Sequence, residues 1–359
     1  MAFKSAVPYA IGFVSPPLVV WSTLMGGAWT WLPVVAMFAG VPVADALMRP
    51  HMLHPSAQEI RVLEQRLSFR AMTWLWVPVH VALVVWAVDT ASSRPMGWSL
   101  AGLVLSVAVV GGAIGITFAH ELVHRSGQRE RVLGDVLLAL VSYPHFAIEH
   151  VHGHHRHVAT PRDPATARMG EGFYQFLPRT LWGGVVHACG IERERLARRS
   201  RGVWNVGNTM LRYAATMALL YGGVYGIWGA RGLAVFFLQG VGAFILLEAI
   251  NYVEHYGLER REESPGTYEC VSVRHSWDSS HRLSNWLLIN LARHSDHHLT
   301  ASRRYPALST REQAPQLPAG YGTMLLLALV PPLWRRVMDS RVTAARGAPH
   351  DAPPGVGAV

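Results

Sequence analysis

Hydrophobic residues in this chain are gathered into long runs, with charged and polar residues confined between them. Six runs carry almost no charge: residues 8–25, 31–48, 72–88, 98–118, 213–229 and 233–250. Each approaches the roughly 20 residues an α-helix needs to cross about 30 Å of hydrocarbon, so the pattern predicts an all-α integral membrane protein with six transmembrane helices. Only Asp45 and Glu248 place a carboxylate inside a run, each near its end. Buried helices of a large soluble protein are the alternative, and six such runs would be hard to hide in a soluble core. Two shorter apolar stretches, 132–148 and 321–334, have polar edges or paired prolines and are expected as buried or interfacial helices. From Thr343 onward Ala, Gly and Pro dominate, which predicts a single membrane-embedded domain over 1–342 and a disordered tail over 343–359.

Composition supports this reading. Charged residues make up 15% of the chain, against about 25% in a typical soluble domain. The arginines are one-sided. Twelve fall between Glu121 and Met210, and Arg49, Arg61, Arg66 and Arg70 lie between the second and third runs, whereas residues 26–30 carry no charge. By the positive-inside rule both termini and the polar connections that follow the even-numbered runs face the cytoplasm, placing the protein in the cell's inner (plasma) membrane. The same rule accounts for the net charge of +9, and no nucleic-acid-binding module is present. Cys189 and Cys270 both fall on the predicted cytoplasmic side, where a structural disulfide is not expected.

Nineteen histidines are present, and ten of them fall in four compact boxes. These are His120-Glu-Leu-Val-His124, His150-Val-His-Gly-His154-His155, His255 within Asn251-Tyr-Val-Glu-His-Tyr-Gly, and His294-Ser-Asp-His297-His298. All but His152 have spacings that suit ligands. His120 and His124, His150 and His154, and His294, His297 and His298 are three or four residues apart, which places each group on one helical face. Imidazole suits iron, zinc, copper and nickel. One tetrahedral zinc takes about four ligands, so nine histidines point to two metal ions at one end of a helix bundle.

Each box also carries an acid beside a histidine: Glu121, Glu149, Glu254 and Asp296. These are candidates to hydrogen-bond the far ring nitrogen of a ligand from another segment, or else to pair with Arg125, Arg156 and Arg293. Glu248 precedes His255 by seven residues, on roughly the same helical face. As an ionisable group within a span it is a further candidate to support the metal centre. His120-Glu121-Leu-Val-His124 also fits the HExxH pattern of zinc proteases, a reading that leaves the other boxes without a role.

Beyond the ligands, the boxes resemble those of the membrane-bound alkane 1-monooxygenases, within the wider membrane desaturase and hydroxylase superfamily. Residues 149–165, beginning Glu-His-Val-His-Gly-His-His and continuing through Val158-Ala-Thr-Pro-Arg-Asp163-Pro-Ala, read like that family's extended second box. Asp163 within it is a further candidate supporting acid. Residues 251–257, 293–298 and 315–321 look like its later signatures. The resemblance implies six transmembrane helices and a cytoplasmic non-haem centre of two iron ions. Its ligands would be His120, His124, His150, His154, His155, His255, His294, His297 and His298. It also implies O2-dependent hydroxylation of the terminal methyl group of an apolar substrate drawn from membrane lipid. Electrons would come from a rubredoxin and its NAD(P)H-dependent reductase; the chain has no CxxC pair, so the donor is expected to be separate. Xylene-type methyl-aromatic oxidation and lipid desaturation or hydroxylation are the alternatives within the superfamily.

Overall fold

A computed structural model describes residues 5–347. Its frame is five long apolar helices: Val7–Met25, Gly27–Leu47, Leu67–Ser93, Trp98–Val123 and Thr209–His255. These contain all six apolar runs, because the last two lie in one 47-residue helix. That helix breaks at Gly229, whose φ of 65° and ψ of −165° are open to glycine and costly for any residue with a Cβ. The described chain is otherwise helix and loop, save for a short antiparallel hairpin of Glu262–Ser264 with Thr267–Tyr268. It is an integral membrane protein.

Trp98–Val123 is the central helix. Its most apolar window is 89% buried, against 17–50% for the other four long helices, which therefore turn a face to lipid. Small residues allow this enclosure, because between membrane helices packing and close backbone approach take over from the hydrophobic effect. At Gly112 the obstacle is backbone. A Cβ there would sit 2.6 Å from the carbonyl oxygen of Ala243, so the two helices meet backbone to backbone. One turn of the central helix, Val110–Gly115, is wound as a π-helix. The extra residue shifts the register of everything after it, including His120, which lies on the next stretch.

The connections form a lobe at the His120 and His255 ends of their helices. The 132–148 stretch is not one helix. Gln128–Leu140 ends in a turn where Ser142 takes a φ of 58°, and Phe146–Glu149 starts anew. A 25-residue helix, Phe173–Ala197, follows outside the spans. The 321–334 stretch also divides, at its prolines, into Tyr321–Ala328 and Pro331–Gly347. The expected tail over 343–359 is therefore corrected at its start. Residues 343–347 continue the second of these helices, which buries Val342. Arg346 donates to the Gly257 carbonyl at 2.7 Å and pairs with Glu259 at 2.8 Å. Ala344 and Ala345 are strong helix formers. Residues 348–359 lie outside the described residues.

Gly112→Ala should lower the melting temperature measurably, because overpacking costs about 1–3 kcal/mol and the obstructing atom is backbone. Gly190→Ala, whose Cβ meets nothing within 4 Å, should be neutral or slightly stabilising. Equal melting curves for both variants in detergent would contradict the close contact at Gly112.

Candidate metal centre

The histidine boxes arrive on four segments. His120 and His124 close the central helix, one within its last turn and the other just beyond it. His150, His154 and His155 lie on the segment after the Val141–His145 turn. His255 ends the Thr209–His255 helix, and a short helix, His294–Leu299, carries the last three. Together they place the nine predicted ligands in two groups. His120, His124, His150, His155 and His297 form one, and His154, His255, His294 and His298 the other, with the donor atoms of each group within 4.8 Å of one another.

The division departs from the expected faces. His150 and His154 were expected together at i and i+4. Residues His150–His154 instead wind as a π-helix, so His150 faces His155 at i+5, their Nε2 atoms 3.1 Å apart. His154 turns to the other group, its Nε2 3.3 Å from that of His298. In the last box His294 and His298 keep the i, i+4 face, 3.0 Å apart, while His297 crosses to His155, also at 3.0 Å. A shared face therefore holds for His120 with His124 and for His294 with His298, and fails for the rest.

These separations test the fit to a metal. Two nitrogens bound at ~2.1 Å to one ion stand about 3.0 Å apart at a right angle and about 3.4 Å apart at the tetrahedral angle. The Nε2 pairs fall at 3.0–3.3 Å. The Nε2 atoms of His120 and His124 are buried without any hydrogen-bond partner, a costly state for an imidazole that a metal would relieve. Burial, with repulsion among neighbouring histidines, holds His150, His155, His294, His297 and His298 well below their ordinary pKa. They are neutral, the form that binds metal.

The acids divide by task. Asp163 accepts from Nδ1 of His154 at 2.9 Å, leaving Nε2 of that ring free toward its group. Burial disfavours charge on Asp163, yet attraction to His154 and hydrogen bonds from His154 and Thr166 hold its pKa at about 2. Glu254 behaves differently from expectation. Its Oε2 lies 3.3 Å from Nε2 of His294, the donor atom itself rather than the far nitrogen, while Oε1 accepts from Tyr321 at 2.8 Å. The carboxylate thus stands among the four-histidine donors.

The remaining candidates touch no ligand ring and brace segments instead. Glu121 accepts from the Tyr305 amide at 3.2 Å and pairs with Arg125 at 3.6 Å. Its two histidines share their group with three others, more donors than a zinc protease site uses. Asp296 holds Arg303 at 2.7 Å, Arg311 at 2.5 Å and the Ser309 amide at 2.9 Å. Glu149 binds His187 at 3.2 Å. Glu248 accepts from Tyr143 and Thr180, each at 2.8 Å, and from Asn251 at 3.3 Å.

Sequence reasoning missed Asp278, which accepts from the Ser295 amide at 2.7 Å and its hydroxyl at 2.8 Å. This anchors the short helix of the last box at its N-terminus. A lone acid in a loop gives no spacing signal that would have singled it out.

Comparison with known proteins gives a consistent picture. Residues 95–327 match the fatty acid desaturase family model. The chain is 41% identical to alkane 1-monooxygenase 2 of Pseudomonas aeruginosa, over 94% of this chain and 91% of that protein. It is 37% identical to the alkane 1-monooxygenase of Ectopseudomonas oleovorans, over 88% and 79% of the two chains. Against the xylene/toluene monooxygenase hydroxylase component of Pseudomonas putida, identity is 30% over 86% and 81%.

Asp163→Asn should weaken metal binding about 10- to 100-fold, as loss of a ligand's hydrogen-bond partner generally does. Competition with a chelator, read as metal retained per folded chain, measures it. Retention equal to wild type would remove Asp163 from any role at the centre.

Proposed function

Because the chain belongs to the alkane 1-monooxygenases, a branch of the fatty acid desaturase family, we propose that it hydroxylates the terminal methyl group of medium- or long-chain n-alkanes to 1-alkanols. One atom of O2 enters the C–H bond and the other leaves as water, so two electrons and two protons are consumed. The observation that carries this reading is the pair of histidine groups, five and four donors, in a family whose relatives bear that activity in their names.

Two iron ions, one per group, would supply the oxygen activation that organic side chains lack. His120, His124, His150, His155 and His297 hold one; His154, His255, His294 and His298 hold the other, with Glu254 beside them. Asp163 fixes the tautomer of His154 and so aims its Nε2. The membrane helices bind the substrate. An alkane has no polar handle, so affinity must come from burial, at ~0.8 kcal/mol per methylene. Below His120 the central helix is lined by apolar packing, with Phe118 stacked on Trp76 at 5.0 Å and Ile114 fully buried. Such walls exclude water and hold a chain end near the metals.

Electrons are proposed to come from a separate rubredoxin with its NAD(P)H-dependent reductase. A cavity of about 670 Å³ borders His124 and is lined by Arg125, Arg131, Arg195, Arg212 and Arg304 against Glu64, Asp135 and Glu192, an excess of positive charge suited to an acidic carrier. The arginine-rich connections support a reading in which this end of the protein faces the cytoplasm across the inner membrane.

Co-expression with a rubredoxin and its reductase, in a host lacking alkane oxidation, tests the reading. With n-alkanes and methyl-aromatics supplied under air, gas chromatography–mass spectrometry should find 1-alkanols that vanish in His150→Ala. Purified wild type should hold two irons per chain, and His298→Ala fewer. Benzylic alcohols alone would shift the substrate class to the xylene type, unsaturated products would indicate desaturation, and one iron in the wild type would refute the two-ion centre.

A further inference from the structure

The Phe173–Ala197 helix lies outside the spans, yet it presents apolar side chains on both sides. Its inner side buries Phe173, Phe176, Gly184, Ala188 and Leu196. Its outer side exposes Tyr174 at 61%, Trp182 at 74% and Val186 at 52%, with Cys189 exposed on the same stripe. Steps of eight, four and three residues keep these four positions on one face. The Tyr174 hydroxyl donates to the Leu329 carbonyl at 3.0 Å, joining the stripe to Leu326, Leu329, Val330 and Leu333, which are 43–49% exposed. Past the helix end, Trp204 and Val206 are exposed at 88% and 92%. An apolar surface this extensive, rimmed by polar residues, marks an interaction site.

Position and charge identify the occupant. Thr180 donates to Glu248 at 2.8 Å and the Phe176 ring lies 5.4 Å from that of Tyr252, so the helix is docked on the end of a membrane-spanning helix. Its apolar stripe therefore continues the lipid-facing surface. Exposed arginines border it: Arg193, Arg198, Arg199 and Arg201 at one end, and Arg335 and Arg336 beyond Leu333 at the other. Apolar and aromatic residues on one face, bordered by arginine, are the pattern of a helix lying in the membrane interface.

We propose that this helix, with the 326–333 elbow, is sunk in the plane of the bilayer at the headgroup–acyl boundary. The arginines rest on anionic lipid phosphates. The surface thereby ties the histidine lobe to the leaflet, since the inner side of the same helix carries His187, the partner of Glu149 beside His150. A water-insoluble substrate then passes from lipid to the site without crossing solvent.

The two cysteines provide the test, because Cys189 lies on the stripe and Cys270 is exposed in the polar lobe. Cys270→Ser and Cys189→Ser each leave one thiol for a fluorescent label on the full-length protein. The label is read in nanodiscs of phosphatidylcholine and phosphatidylglycerol, whose two faces are both open to solution. Nitroxide-bearing lipid should quench the label at Cys189 several-fold more than at Cys270, and aqueous iodide should do the reverse. A cysteine at Trp182 (Trp182→Cys with both native thiols replaced) should behave like Cys189. Removing phosphatidylglycerol should weaken lipid quenching at Cys189; no change would overturn the role given to the arginines. Iodide quenching at Cys189 equal to that at Cys270 would overturn the proposal. Protection of Cys189 from both quenchers would also overturn it, by assigning the face to a second protein surface.

Discussion

Nine imidazoles occupy a volume in which their donor nitrogens stand about as far apart as ligands on a single ion. This crowding is the constraint from which the rest of the lobe follows. Rings so crowded stay in place only if the segments that carry them are held from outside the group. Asp163 turns His154, Asp278 anchors the helix that carries His294, His297 and His298, and Asp296 clamps that same helix to Arg303 and Arg311. Arg293, fully buried one residue before it, donates to Asn285 at 2.7 Å, to Asn290 and to the His51 carbonyl at 2.7 Å. Buried charges are stable only when paired or hydrogen-bonded in this way, so the acids and arginines of the lobe are consequences of the histidines.

The membrane frame meets a different requirement. Its central helix is enclosed by the others through glycine contacts and delivers His120 at one end, while the break at Gly229 lets a single helical run return its far end, with His255, to the same place. Polar residues then gather where the frame ends. That leaves an apolar interior suited to a substrate recognised by burial, and a charged rim around it.

Of the three π-turns among the described residues, those at Val110–Gly115 and at His150–His154 connect these halves. A π-turn is rare, and one inside a functional segment re-aims the side chains that follow it. The first sets the register of His120 against the neighbouring helices. The second sends His150 and His155 to one group and His154 to the other, so that adjacent residues in sequence serve different positions in the site.

Much of this was legible in the chain alone. Long uncharged runs can satisfy their backbone only as helices in lipid, so the membrane frame followed from composition and length. Histidines at three- and four-residue spacing announced a metal centre, because few other roles need so many imidazoles so close. Sequence could not divide the nine into five and four. That division depends on a π-turn worth a single residue of register, and on how His297 and His298 part across a short helix. Nor could it assign the acids. Glu121, Glu149, Glu254 and Asp296 look alike beside their histidines, yet one reaches a ring nitrogen of the cluster and three brace neighbouring segments, while the acid that orients His154, Asp163, stands nine residues from it. Spacing along a helix reports which side chains share a face. Which of them meet across four segments is decided by how those segments pack.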